Sequence, residues 1–142
     1  STGLVTSPRC CPPVPGDDII GFITRGQGVS IHRRDCANCR RLLSQPGNEG
    51  RCVDVEWAGK VDDSYQTTIV ITAKDRSGIV LDIAAVLNVL NAKVRTLSAR
   101  DNGAGTAVTS VTLEVKDAAE LKYVMNRLSS IQGDISVARN GD

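Results

Sequence analysis

The distribution of cysteine constrains this chain more than any other feature. All five cysteines (Cys10, Cys11, Cys36, Cys39, Cys52) fall in the first 52 of 142 residues. The only histidine (His32), all five prolines and the only tryptophan (Trp57) also lie before residue 58. The rest of the chain carries none of these residue types and shows long periodic apolar segments instead. Such a division reads as two small modules, 1–60 and 61–142, with the polar stretch 59–64 as the linker.

An odd number of cysteines with an adjacent pair is poor material for a disulfide framework. No signal-peptide pattern precedes them, so reduced thiols in the cytoplasm are expected. No apolar run approaches the ~20 residues that cross a bilayer, and no membrane partner is expected. At 41% hydrophobic and 23% charged residues, the composition is that of a globular protein. The first residue is not methionine, which suggests a piece of a longer protein with any catalysis upstream. The chain itself is therefore not expected to be an enzyme.

In the first module, a stiff proline-rich opening leads to two short strands, 19–24 and 29–32, around a turn at 25–28. Asp35 is the expected N-cap of a helix through Cys36, Cys39, Leu42 and Leu43, and 52–57 (CVDVEW) alternates as a third strand. His32, Cys36 and Cys39 follow a His-x-x-x-Cys-x-x-Cys spacing, with Cys10 or Cys11 available as a fourth ligand. Four nitrogen and sulfur ligands suit a structural zinc, and a module of about 50 residues has little core of its own. The competing reading is that these cysteines are small buried apolar side chains. Five arginines (Arg25, Arg33, Arg34, Arg40, Arg41) cluster here with Asp35 as the only acidic neighbour in sequence. They make either a phosphate-contacting patch or a solvated helix face.

The second module has legible periods. Strands are expected at 65–74, 94–100, 107–116 and 134–139, and helices carry the stripes Ile79, Ile83, Val86, Leu87, Leu90 and Leu121, Val124, Met125, Leu128. Asp117 and Glu120 form a capping-box-like pair. The order is a ferredoxin-like βαββαβ, so the chain as a whole is α+β: a small Cys/His β-hairpin-helix domain, then this domain. Its strands lack the aromatics of an RNA-binding sheet and its first turn lacks a Cys-x-x-Cys pair, which excludes two common uses of the fold. Gly78 at the first turn opens a helix whose free N–H groups suit a small carboxylate.

The run from Cys10 to Cys36 (CCPPVPGDDIIGFITRGQGVSIHRRDC) closely resembles the conserved-cysteine module of long RelA/SpoT-homologue (Rel) stringent-response proteins, also called the zinc-finger or RIS domain. In that family an ACT domain comes next, and Asp75-Arg76-Ser77-Gly78-Ile79-Val80-Leu81 looks like its first turn. The resemblance implies zinc ligands at Cys10, Cys11, His32 and Cys36, with Cys39 an additional thiol and alternative ligand. It implies upstream domains in the parent chain that make and hydrolyse (p)ppGpp, the parent being a GTP pyrophosphokinase. It also implies contact with ribosomal RNA near the A site, for which Arg25, Arg33, Arg34, Arg40 and Arg41 are the candidates. Valine or isoleucine binding at a paired ACT interface is implied as well, making the chain a homodimer through that domain. The candidate ligand residues are Asp75, Gly78, Ile79, Val80, Leu81 and, at the start of the second strand, Arg95. Relatives commonly read Val-Asn-Ile where this chain has Val94-Arg95-Thr96. The alternative function is dimerisation and autoinhibition without a bound effector.

Overall fold

A computed structural model describes residues 5–6, 8, 10–26, 28–57 and 64–140. The linker read at 59–64 lies outside the described residues except for Ser64, as does Gln27 in the turn of the first hairpin. Val5–Thr6 (β1), Ile19–Ile23 (β2), Val29–Arg33 (β3) and Cys52–Val53 (β4) form one sheet in the order β1-β3-β2-β4, accompanied by helix α1 at Ala37–Ser44. β2 and β3 make the expected antiparallel hairpin, registered from Ile19 opposite Arg33 to Ile23 opposite Val29. β1 joins β3 in parallel, a pairing that no sequence signal announced. Gly21 lies in β2 where a Cβ would meet Val53 Cγ2 at 2.8 Å and Val29 Cγ1 at 3.0 Å, so only glycine lets both neighbours close on it.

Two local expectations are corrected here. The strand expected at 52–57 pairs only through Cys52 and Val53, opposite Phe22 and Gly21. Beyond it the chain leaves the sheet, because Trp57 is drawn elsewhere. Its Nε1–H donates to the Asp17 carbonyl at 3.1 Å, and its ring meets Tyr65 edge-on with centroids 6.0 Å apart. The N-cap of α1 is Cys36, not Asp35, and no side chain accepts a bond there. Asp35 lies one residue too early and faces Arg33 instead, at 3.5 Å.

The second module matches its sequence pattern closely. Tyr65–Lys74 (β5), Lys93–Asp101 (β6), Thr106–Val115 (β7) and Ser136–Arg139 (β8) form a sheet in the order β6-β7-β5-β8, with helices α2 at Ile79–Val89 and α3 at Ala118–Ser129. All neighbouring strands are antiparallel, which is the ferredoxin-like topology. The ladder from Tyr65 opposite Val115 to Lys74 opposite Thr106 puts Ile69, Ile71 and Ala73 on one face with Val111, Leu113 and Val115. Ile79, Ile83 and Leu87 of α2 and Leu121, Val124 and Leu128 of α3 close over that face. Each such large side chain removed from water contributes about 1.5–3 kcal/mol. Asp117 Oδ1 caps α3 by accepting the Glu120 N–H at 2.8 Å. Glu120 returns the bond one residue early, accepting from the Lys116 N–H at 2.7 Å.

The two modules share more than a linker. Val14 of the first module is fully buried within the core of the second. Arg139, the last residue of β8, reaches back to Asp17 with Nη1–Oδ1 at 2.8 Å and Nη2–Oδ2 at 3.0 Å. The pair is largely sequestered, with side chains 12% and 8% exposed. The Ala118 N–H donates to the Pro15 carbonyl at 2.8 Å, and Arg33 Nη2 donates to the Asn140 carbonyl at 2.7 Å.

Candidate functional site

Three separate pieces of the first module converge on one point. The proline-stiffened opening brings Cys10 and Cys11, β3 brings His32, and the N-cap of α1 brings Cys36. Their ligand atoms all lie within 4.8 Å of one another. The Cys10 Sγ is 3.5 Å from Cys11 Sγ, 3.7 Å from Cys36 Sγ and 3.8 Å from His32 Nδ1, and Cys11 Sγ is 3.3 Å from the same nitrogen. A tetrahedral zinc with ordinary bond lengths sets sulfurs about 3.8 Å apart and sulfur to nitrogen about 3.5 Å, close to these four separations. These residues are close enough to hold a metal. Cys39, a turn further along α1, is buried against Cys11, Ile20 and Cys36, but its sulfur is outside the group of four.

The surroundings favour the ligand forms of His32 and Cys36 and oppose that of Cys11. Burial lowers the His32 pKa below its usual value and keeps the ring neutral, as a metal ligand must be. Its Nε2 lies 3.1 Å from Ser30 Oγ, which orients the ring with Nδ1 toward the sulfurs. Ser30 was not singled out in the sequence, although its i, i+2 relation to His32 on a strand puts the two on one face. For Cys36 burial acts upward, but hydrogen bonds from the Cys11 thiol, the Cys39 and Asn38 backbone N–H groups and Cys10 outweigh it and hold the thiol low. Its place at a helix N-terminus acts in the same downward sense. Burial pushes Cys11 and Cys39 upward. The Cys11 sulfur also accepts the Arg33 backbone N–H, which acts in the opposite sense.

The basic cluster divides once it is folded. Arg25, Arg40 and Arg41 are exposed, Arg41 donating to Asn38 Oδ1 at 3.1 Å. Arg34 is exposed but engages Asp18 at 2.9 Å and Asp54 at 3.2 Å. Arg33 is only 3% exposed, and its guanidinium serves the contact with Asn140. Counting charges along the chain placed Arg33 with the others; the fold turns it inward.

In the second module Asp75, Gly78, Ile79, Val80 and Leu81 line a shallow cavity of about 280 Å³ with Ala99, Arg100, Asp101 and Ala107. Gly78 stands at the N-cap of α2 with φ +84, a conformation that strains any residue with a Cβ. Arg76 fixes the turn, with Nη2 2.6 Å from Asp82 Oδ2 and 2.9 Å from the Gln132 carbonyl. Arg95 does not join this cavity within the chain. It occupies an irregularity at the other end of β6, between Val94 and Thr96, and its Nη1 pairs with Glu114 Oε2 at 2.9 Å.

A ferredoxin-like module preceded by a small three-cysteine, one-histidine domain is the class that fold and cluster define. The family comparisons resolve it further. Residues 2–58 match the RelA/SpoT RIS domain, and residues 62–139 match the ACT domain. The chain belongs to the ACT-domain family and carries the RelA/SpoT RIS domain ahead of it. It is 40% identical over 136 residues to a GTP pyrophosphokinase of Streptomyces coelicolor, covering 92% of this chain and 15% of that protein. It is 35% identical over 136 residues to the bifunctional (p)ppGpp synthase/hydrolase RelA of Mycobacterium tuberculosis, covering 92% of this chain and 17% of the relative. The chain thus spans less than a fifth of these relatives. The match lies in their C-terminal part, and their catalytic domains fall outside it. The solution structure of the ACT domain from a GTP pyrophosphokinase of Chlorobium tepidum shares the fold, with TM-score 0.50, 22% identity and coverage of 56% of this chain and 89% of that one.

Proposed function

We propose that this RIS–ACT region regulates a (p)ppGpp synthetase/hydrolase by meeting ribosomal RNA near the A site and passing the state of the starved ribosome to upstream catalytic domains. The observation that carries the reading is the metal-ready cluster of Cys10, Cys11, His32 and Cys36 on a module whose surface exposes Arg25, Arg40 and Arg41. A zinc ion there would fix the fold of the basic surface rather than take part in a reaction. Reduced thiols suit a cytoplasmic setting, and among the described residues no helix is long and apolar enough to cross a membrane. Arginines on phosphates release counterions, so binding weakens steeply with salt. Replacing Arg25, Arg40 and Arg41 by Ala should weaken co-sedimentation with ribosomes and reduce the salt slope by roughly one per lost contact. An unchanged slope contradicts RNA contact through this surface.

Valine or isoleucine is proposed as the effector at the cavity of Asp75, Gly78, Ile79, Val80 and Leu81, closed by a second chain. The cavity is shallow and needs the second chain to close it, so weak binding is expected. Millimolar L-valine or L-isoleucine should raise the melting temperature while the D-isomers do not. The dimerisation and autoinhibition reading has its own support. β6 is an edge strand exposed along nearly its whole length, and Leu81 and Val89 on α2 are 74% and 71% exposed. A dimer in sedimentation equilibrium, with no shift from any amino acid, favours that second reading.

A further inference from the structure

From the contacts between the modules, we infer that the metal cluster is a latch: occupancy of Cys10, Cys11, His32 and Cys36 controls how firmly the ACT module is docked. This rests on the metal reading of the cluster but assigns a role that a merely structural ion would not have. Both halves of the cluster run directly into the interface. Cys10 and Cys11 are followed at once by Pro12, whose carbonyl lies 3.4 Å from Arg139 Nη2, and then by Val14, which is buried in the ACT core. Asp17 closes that segment, accepting the Val14 N–H at 2.8 Å and the two Arg139 bonds. On the other half, Arg33 sits between His32 and Cys36. Its backbone N–H bonds the Cys11 sulfur while its side chain bonds the Asn140 carbonyl. One residue therefore touches a ligand with its main chain and the ACT module with its guanidinium.

The physical consequence comes from how little else holds these segments. The 10–17 segment contains no helix or strand, so its path is set by the cluster at one end and the ACT contacts at the other. A bound ion fixes Cys10 and Cys11 against His32 and Cys36, and thereby holds Pro12, Val14 and Asp17 where Arg139 and the core receive them. Without the ion only weak hydrogen bonds to sulfur hold the cluster together, and the segment gains freedom that the docked state must remove. Metal binding and docking are then coupled, and coupling between equilibria is reciprocal.

Reciprocity gives the test. Arg139→Gln and, from the other side of the pair, Asp17→Asn alter residues that do not belong to the cluster. Zinc affinity of the whole chain is measured by competition with a chromogenic chelator, and amide exchange is followed by mass spectrometry. Both variants should bind zinc about tenfold more weakly, within the 5–150-fold span usual for coupled sites. Stripping zinc from the unsubstituted chain should speed exchange at Ala118 and across 136–140 at least tenfold while Val111–Val115 stays protected. Unchanged zinc affinity in both variants, with their β7 amides protected and so their ACT module folded, overturns the latch. So does loss of zinc, verified by elemental analysis, that leaves Ala118 and 136–140 as slow as before. A chain that binds no zinc at all fails earlier, and both the metal reading and the latch fall with it.

Discussion

The two modules solve the same problem of stability with different materials. Among the described residues, the ACT module's core holds 13 of its own buried hydrophobic side chains together with Val14. Besides Val14, the described RIS module buries Cys11, Ile19, Ile20, Phe22, Cys36 and Cys39, of which half are cysteines. So small a core contributes much less than the larger one, whereas four ligands on one ion contribute a great deal. On the proposed zinc reading, the first module depends on a bound ion and on its neighbour, and the second on packing. That difference explains why Val14 is lent to the larger core, where its burial counts for both.

The largest expected effect breaks the first half of that comparison. Cys36→Ser removes one ligand and the helix-end thiolate, so zinc content should fall to near zero and the dispersed amide signals of the RIS module should collapse. The apparent free energy of a structural zinc is on the order of 10 kcal/mol, far more than so small a core provides. Retained dispersion without metal shows instead that the cysteines are core residues. Next in size, Leu113→Ala in β7 should cost about 2–5 kcal/mol in urea unfolding and leave zinc stoichiometry unchanged. Asp117→Ala, losing the cap of α3, should cost about 1 kcal/mol by the same measurement.

The smallest effect concerns pH. Burial lowers the His32 pKa in the folded, metal-free chain, so the unfolded state binds the proton more readily. Stability from this group is fully present above the unfolded value of about 6.5 and is lost as pH falls from there through the lower folded value. Denaturation curves of chelator-treated protein between pH 7 and pH 5 should show that decline, and His32→Gln should flatten it. An equal decline in the variant assigns the acid sensitivity to other groups.

How much of this was legible in the sequence differs between the modules for a physical reason. Periods of 2 and 3.6 record directly which face of a strand or helix is buried. Ala107, Thr109, Val111, Leu113 and Val115 accordingly alternate as their burial does, and Ile79, Ile83 and Leu87 form one stripe. A metal cluster has no such period. The spacing of His32, Cys36 and Cys39 suggested three ligands around one junction, but α1 turns Cys39 against Ile20, and the fold brings Cys10 and Cys11 across instead. Asp35 resembled a cap because ion pairing with Arg33 leaves no trace in a local pattern. The Asp17–Arg139 pair spans 122 residues and could not be seen at all before the fold was known. Arg33 looked like one more surface charge for the same reason.

The contrast between a metal-held and a packing-held module is tested most directly by thermal unfolding of the whole chain with and without a strong chelator, alongside elemental analysis. Near-stoichiometric zinc, and a low-temperature transition that the chelator abolishes while the ACT transition persists, is the expected result. No zinc, with both transitions unmoved by the chelator, contradicts it and leaves the sulfur cluster as an ordinary core.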